Sequence, residues 1–326
     1  MVFDVPAESG GALTILKQYY EKAIKDKENE WIFVISKPDL IQTQNVKILK
    51  VPWVKKSWFH RLYFDRFIAK KYIEEYQVDE VLSLQNVIFP NVKVKQTLYL
   101  HQSLPFVEKR YKITENFTFW LYQNVISKMI YNSIRKADHI IVQTNWMKEA
   151  SAKKAKVKPT KFKVLRPELN IKVKNIYEEG TKENFLFFYP ASGMHYKNHK
   201  VIVEAVKKLK DKKTKNFKVV FTINGDENEN IKRMFNYTKE NKLPIDFIGN
   251  INSEVVFDYY SKSILIFPSY IETFGLPLLE ARMHRTPILA SDCAFSHEVL
   301  ENYENVKFFN PYNSDELSIY MSDMLK

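Results

Sequence analysis

Glu272 and Glu280 stand eight residues apart, with Thr273, Phe274, Gly275, Leu276 and Pro277 among the residues between them. Pro277 suits the first turn of a helix, where a missing N–H costs nothing. The residues just before it then form a loop that aims free backbone N–H groups, and the positive end of a helix dipole, at whatever lies beyond. Such a geometry attracts anions. Glu272 falls on the loop and Glu280 one turn inside the helix, so two carboxylates flank a phosphate pocket. Carboxylates accept hydrogen bonds from hydroxyls, and a nucleotide sugar is a ligand that carries both phosphate and hydroxyls. Two glutamates at this spacing alone would be an ordinary solvated helix edge. What narrows the reading is their setting, Phe267-Pro268-Ser269 before and Thr286-Pro287-Ile288-Leu289-Ala290-Ser291 after.

The elements that must hold this loop are legible from hydrophobic patterning. Ile264 to Phe267 is a continuous apolar run, which predicts a parallel strand buried on both faces. Similar runs predict strands at 2–5, 31–36, 81–83, 97–100, 139–143 and 163–165, then at 185–189, 218–223, 245–248 and 287–290. Helix-like segments separate them, the βαβ rhythm of an α/β protein with doubly wound parallel sheets. Pro167 to Asn184 is polar and without strong periodicity, and is expected to be the hinge between domains 1–168 and 169–326. Two Rossmann-like sheets facing across a cleft would present their strand ends, and hence the ligand, at the interface.

Other residues stand at predicted strand ends. Gly10 and Gly11 follow the first strand and precede a helical pattern from Leu13; glycines there permit close backbone approach to phosphate or sugar, although tight turns use them constantly. His101 follows the strand at 97–100; a lone histidine in that place usually hydrogen-bonds structurally. Lys197 sits in Tyr196-Lys197-Asn198-His199, after the strand at 185–189, and by default is a solvated lysine. Gly225 and Gly249 follow two further strands and could be simple turns.

The Glu-x7-Glu spacing, in its Phe-Pro-Ser, Gly-Leu-Pro and Thr-Pro-Ile-Leu-Ala-Ser setting, resembles the signature of retaining family 4 glycosyltransferases of the GT-B fold. The resemblance implies an N-terminal acceptor-side domain and a C-terminal nucleotide-sugar domain. It implies that Glu272 holds donor-sugar hydroxyls, Glu280 the ribose, and Lys197 the donor phosphates, together with the N–H groups of Thr273, Phe274, Gly275 and Leu276. Gly10 and Gly11 match the family's glycine-rich loop near the diphosphate, His101 a histidine that touches the donor sugar, and Gly249 a loop that borders the base. Two departures stand out. The family's phosphate-clamping arginine is replaced by Ala191, with Ser192 beside it. Arg285 occupies a position that is usually glycine. The chain also ends at Lys326 without the further helix that the family usually packs back on the first domain.

Charge adds a partner. Residues 1–170 hold 29 Lys and Arg against 17 Asp and Glu, while the rest is balanced, so the net +12 lies entirely in the first half. That asymmetry suits a polyanion. The segments 55–72 and 109–136 mix these cations with aromatics, a combination suited to an anionic membrane surface or a lipid-diphosphate acceptor. No nucleic-acid motif accompanies them. The single Cys293 precludes an internal disulfide and suits a reducing cytoplasm. No apolar stretch approaches a membrane span, and the first residues lack the pattern of a signal peptide. There is no Asp-x-Asp, so no metal is indicated, and no cofactor beyond the donor is expected. The function implied is transfer of a sugar from a nucleotide diphosphate to a glycan or polyprenyl-diphosphate-linked acceptor, in bacterial surface polysaccharide synthesis, by a cytoplasmic protein that is peripheral to the membrane. Two alternatives remain open: a nucleotide-sugar epimerase, and a non-catalytic subunit of the same fold.

Overall fold

The computed structural model describes residues 1–8, 10–167, 172–178, 185–214 and 216–325. The chain divides into two compact units, Met1–Glu168 and Leu169–Lys326. Most of the expected hinge lies outside the described residues. Within it, the Tyr177 N–H donates to the His284 carbonyl at 2.7 Å, so 172–178 belongs with the second unit.

The first unit is a seven-stranded parallel sheet with strands β1 (Val2–Asp4), β2 (Trp31–Ile35), β3 (Val46–Lys50), β4 (Glu80–Ser83), β5 (Lys95–Tyr99), β6 (His139–Val142) and β7 (Phe162–Val164), in the order β3-β2-β1-β4-β5-β6-β7. Its helices are α1 (Gly10–Lys25), α2 (Trp58–Tyr63), α3 (Ala69–Glu75), α4 (Phe117–Leu121), α5 (Ser127–Lys136) and α6 (Asn145–Ala155). The second unit has six parallel strands, β8 (Phe185–Tyr189), β9 (Phe217–Phe221), β10 (Ile245–Phe247), β11 (Ile264–Phe267), β12 (Ile288–Ser291) and β13 (Val306–Phe309), in the order β10-β9-β8-β11-β12-β13. Helices α7 (His199–Asp211), α8 (Glu229–Glu240), α9 (Ser253–Tyr260), α10 (Leu276–Met283), α11 (Ala294–Val299) and α12 (Ser314–Asp323) accompany them.

Two strands escape the apolar-run reading, β3 and β13. Both lie at a sheet edge, where one side faces water and lysines replace part of the apolar run (Val46-Lys47-Ile48-Leu49-Lys50, Val306-Lys307-Phe308-Phe309). Such lysines also discourage further strand pairing. Helix α1 begins at Gly10 rather than Leu13, so the glycine pair opens the helix instead of preceding it.

Strand register places side chains. Phe3 pairs with Ser83, Ser83 with Leu98, and Leu98 with Ile140. Residues paired across parallel strands share a face. That face is covered by Phe64, Ala69 and Ile73 from the segment 58–75, and by Ile130 and Ile134 of α5. The segment 58–75 is one helical run in which a π-helical turn, Phe64–Ile68, joins α2 to α3; another, Tyr122–Ile126, joins α4 to α5. The aromatics of these two basic segments divide. Phe64 is fully buried and Phe119 nearly so, whereas Phe59 is 83% exposed and Phe67 60%.

Asp4, at the end of β1, is wholly buried. Neither oxygen makes a full hydrogen bond among the described residues, and the Ala7 N–H, Arg61 and Lys55 offset only part of the burial penalty. Burial therefore pushes its carboxyl up from 3.8 to about 8. The folded state keeps a proton that the unfolded chain releases between those values, so this group costs stability progressively as pH rises through that window, by up to about 1.4 kcal/mol per pH unit. Asp4→Asn is expected to raise the thermal midpoint near pH 8 and to leave it unchanged near pH 4. A midpoint difference that is the same at both pH values would contradict this.

Candidate active site at the carboxyl edge of the second sheet

Strand order in the second unit reverses between β8 and β11: β9 and β10 lie to one side of β8, β12 and β13 beyond β11. At such a switch point the loops leaving neighbouring strands diverge and open a crevice beyond their carboxyl ends. The loop after β8 carries Lys197, and the loop after β11 carries Glu272. Both reach the same place. Lys197 Nζ forms a short ion pair with Glu272 Oε1, and the two side chains are only 16% and 15% exposed.

Several contacts fix that pair. The Ser269 hydroxyl donates to Glu272 Oε1 at 2.7 Å, the Tyr270 N–H donates to the Tyr196 carbonyl at 3.2 Å, and Tyr270 Oη lies 3.1 Å from His195 Nδ1. Asn198, in a left-handed conformation that opens α7, donates from Nδ2 to the Pro268 and Pro311 carbonyls at 3.4 and 2.6 Å. The Tyr189 hydroxyl donates to the Lys197 carbonyl at 2.6 Å, and the ammonium lies 5.4 Å from the Tyr196 ring centre. Burial pulls the Lys197 pKa down, but the Glu272 and Tyr196 oxygens outweigh it, so the net shift is upward. Lys197 is a firm cation.

Beyond Glu272 the chain turns through Gly275, at φ 88°, into α10 with Pro277 in its first turn. L-residues avoid that conformation, and a Cβ there would also stand 3.3 Å from Leu278 Cδ1. Gly275→Ala is therefore expected to cost about 1–2 kcal/mol, read as a lower thermal midpoint with an otherwise native circular dichroism spectrum; an unchanged midpoint would remove the argument. Glu280, one turn in, accepts from the Tyr260 hydroxyl at 3.0 Å. Burial raises its carboxyl pKa and the Tyr260 hydrogen bond opposes the rise. Arg285 adopts φ 57°, the left-handed conformation that its usually glycine position requires. Gly249, after β10, has φ 73°, and a Cβ would stand 2.5 Å from Asn224 Oδ1, so the loops after β9 and β10 pack tightly.

The remaining predicted residues lie on the first unit, also beyond strand carboxyl ends. Gly10, at φ 61°, and Gly11 have open space where a Cβ would stand. His101 follows β5; its N–H donates to Asn86 Oδ1 at 2.8 Å. Burial lowers its imidazole pKa to about 4, a Leu84 backbone hydrogen bond opposing. At neutral pH the ring is then uncharged. The structure thus brings Lys197, Glu272, Thr273, Phe274, Gly275, Leu276 and Glu280 into one stretch of the second unit, with Gly249 on the same sheet edge, while Gly10, Gly11 and His101 form a separate set on the first. Sequence reasoning missed Ser269 and Tyr260, the hydrogen-bond partners of the two glutamates. Ser269 was visible in Phe-Pro-Ser. Tyr260 lies 20 residues from Glu280, and only the packing of α9 beside α10 reveals it.

Residues 171–326 match the model for Glycosyl transferases group 1. The chain is similar to O-antigen chain mannosyltransferase RfbU of Salmonella typhimurium, 25% identical over 210 residues, which is 64% of this chain and 55% of that protein. The aligned chain therefore spans little more than half the length of this curated relative. Among solved structures, sucrose-phosphate synthase from Thermosynechococcus elongatus superimposes with a TM-score of 0.74 at 16% identity, covering 99% of this chain and 88% of that one. Anabaena Alr3699/HepE, in complex with UDP and glucose, gives 0.70 at 14% identity over 100% and 89%. At such identities the likeness speaks for the fold. Two parallel sheets of seven and six strands give this chain the GT-B fold of these neighbours, and its second unit is a glycosyltransferase group 1 domain.

Proposed function

We propose that the chain is a retaining glycosyltransferase that moves a sugar from a nucleotide diphosphate to a glycan or lipid-linked glycan in bacterial surface polysaccharide synthesis. The observation that carries the reading is the Lys197–Glu272 pair, held by the two loops of a switch point at the head of a helix opened by Gly275 and Pro277. The relatives supply the setting. One is an O-antigen mannosyltransferase, and another is seen with UDP and glucose.

In this reading the bond from the sugar's anomeric carbon to the diphosphate oxygen breaks while a bond to the acceptor hydroxyl oxygen forms on the same face. Negative charge grows on the departing diphosphate, which takes the acceptor's proton. Fixed positive groups around that phosphate then contribute most to catalysis. Lys197 and the N–H groups from Thr273 to Leu276 fill that role, and neither a metal nor a cofactor is called for. Glu272 accepts hydrogen bonds from donor-sugar hydroxyls, Glu280 from the ribose, and neutral His101 contacts the sugar. Gly249 borders the base. Gly10 and Gly11 leave room for the diphosphate and acceptor. No protein nucleophile is required. The enzyme works in the cytoplasm, its basic first half against the inner face of the membrane.

Calorimetric titration with UDP, GDP, dTDP, ADP and CMP tests the donor class, and magnetic resonance of the product's anomeric centre tests retention. Micromolar binding of one diphosphate and a product with the donor's anomeric configuration are expected. No binding by any nucleotide, or an inverted product, would overturn the proposal.

A further inference from the structure

Tyr260 closes α9, and its hydroxyl donates to Glu280 Oε2, one turn into α10, at 3.0 Å. The phenol is rigidly placed. It is fully buried, its ring meets Phe188 of β8 edge-on at 5.9 Å, and the His284 ring lies 5.6 Å away. Its carbonyl accepts from the Thr286 hydroxyl at 2.7 Å, and the Thr286 carbonyl accepts from the Tyr303 hydroxyl at 2.7 Å. The Glu280 backbone is fixed too, since its carbonyl accepts from the His284 N–H at 3.2 Å. Burial and the neighbouring Glu280 charge hold the Tyr260 hydroxyl well above its ordinary pKa, so it stays a donor. A fixed donor sets the direction in which the carboxylate turns.

That carboxylate has acceptor capacity to spare. An ionised carboxyl offers about four lone-pair sites, and among the described residues Tyr260 fills one. Burial raises the Glu280 pKa even with this bond in place, so the phenol alone does not replace the lost water. Glu272 differs, because a cation and a serine meet it. A carboxylate that faces a neutral phenol and no cation repels phosphate and suits hydroxyl donors. Its position says which hydroxyls. Glu280 stands four residues beyond Leu276, which opens α10, so it lies about 6 Å along the axis and on the same face. A nucleotide with its phosphates at the head of α10 would therefore bring its ribose alongside Glu280. Two adjacent hydroxyls match the two oxygens of a carboxylate held in one orientation, whereas a single hydroxyl leaves capacity unmet.

We propose that Tyr260 is a positioning residue that presents Glu280 to a vicinal diol, and that the donor is accordingly a ribonucleoside diphosphate sugar rather than a 2′-deoxy one such as a dTDP-sugar. This inference rests on the glycosyltransferase reading for the presence of a nucleotide and narrows it to a donor class. Glu280 meets the ribose in that reading; what the phenol adds is the demand for both hydroxyls.

Calorimetry on the full chain compares UDP, GDP and ADP, each with its 2′-deoxy counterpart, pairs that differ by one hydroxyl. For the base that binds, the ribonucleotide should bind about tenfold more tightly or better, the effect of one hydrogen bond to a charged acceptor. Tyr260→Phe keeps the ring and removes the donor. It should cut that ratio by about threefold or more, the effect of losing an orienting hydrogen bond, through weaker binding of the ribonucleotide. With donor sugar the loss should fall on KM rather than kcat. A buried phenol needs an acceptor in any case, and a role in packing alone would weaken both nucleotides alike. Glu280→Gln, at a partly exposed position, should shrink the ratio as well and serves if Tyr260→Phe does not fold. Equal affinity of the wild type for the two nucleotides, or a ratio unmoved by either substitution, would overturn the inference. If a nucleotide binds without regard to its 2′-hydroxyl, only this inference falls; if none binds, the donor reading falls and takes it along.

Discussion

Glu272→Gln should lower sugar transfer by about two to three orders of magnitude, the usual consequence of removing a preorganised group that acts on the transition state, while nucleotide diphosphate affinity holds or tightens. The second half of that expectation follows from the ion pair. Glu272 occupies Lys197 Nζ, and a diphosphate that bonds there competes with it. Neutralising the carboxylate frees the ammonium for phosphate. Glutamine keeps the volume and can still accept from Ser269, but it leaves a poorly exposed cation without its counter-charge, which destabilises the folded protein by up to about 3–5 kcal/mol for a fully buried pair and less here. A lower thermal midpoint that diphosphate restores, together with lost turnover, is the expected pattern. Turnover close to wild type would remove Glu272 from the mechanism. Weaker diphosphate binding would refute the competition between carboxylate and phosphate.

Lys197→Ala should act in the opposite sense on binding. A charge-assisted hydrogen bond contributes about 1.5–3 kcal/mol, so diphosphate affinity should fall roughly 10- to 100-fold. Because Ala191 stands where the family has a second cation, no other side chain at that position shares the load, and the loss should lie toward the upper end. The upward shift of Lys197 gives the pH dependence its sign. The stabilisation from the pair is complete below the ordinary lysine value of 10.5 and is lost only as pH climbs through the raised one. Lysine titration therefore contributes no pH dependence to diphosphate binding between about pH 6 and 9. Wild-type affinity in Lys197→Ala, measured by calorimetry, would contradict the assignment.

Much of the second unit could be read from its residues. Ile264–Phe267 and Phe185–Tyr189 are strands at the predicted bounds, because a strand buried on both faces leaves a continuous apolar run. Gly275, Pro277 and Arg285 announce the two ends of α10 through backbone chemistry that few residues satisfy. The edge strands β3 and β13 were illegible for the converse reason, since their half-solvated faces carry lysines. In the site, Lys197 and Glu272 were each legible, but their pairing was not: 75 residues separate them, and only the strand order brings their loops together. In the first unit, the polar cluster in which Asp65 accepts from Arg61 and Gln85 was hidden for a different cause. Its charges read as the solvated face of a basic helix, and nothing local signals that a π turn rotates Asp65 inward.

Those two turns also constrain how the chain can vary in length. Each residue advances a helix by about 100°, so the extra residue within Phe64–Ile68 sets the phase of everything up to Glu75. Deleting it would swing Ala69 and Ile73 away from the sheet they now cover. The same holds for Tyr122–Ile126 and the buried Ile130 and Ile134. A single-residue deletion that straightened either helix would thus unseat a core, and the insertions, once acquired, are locked in by the apolar residues that follow them.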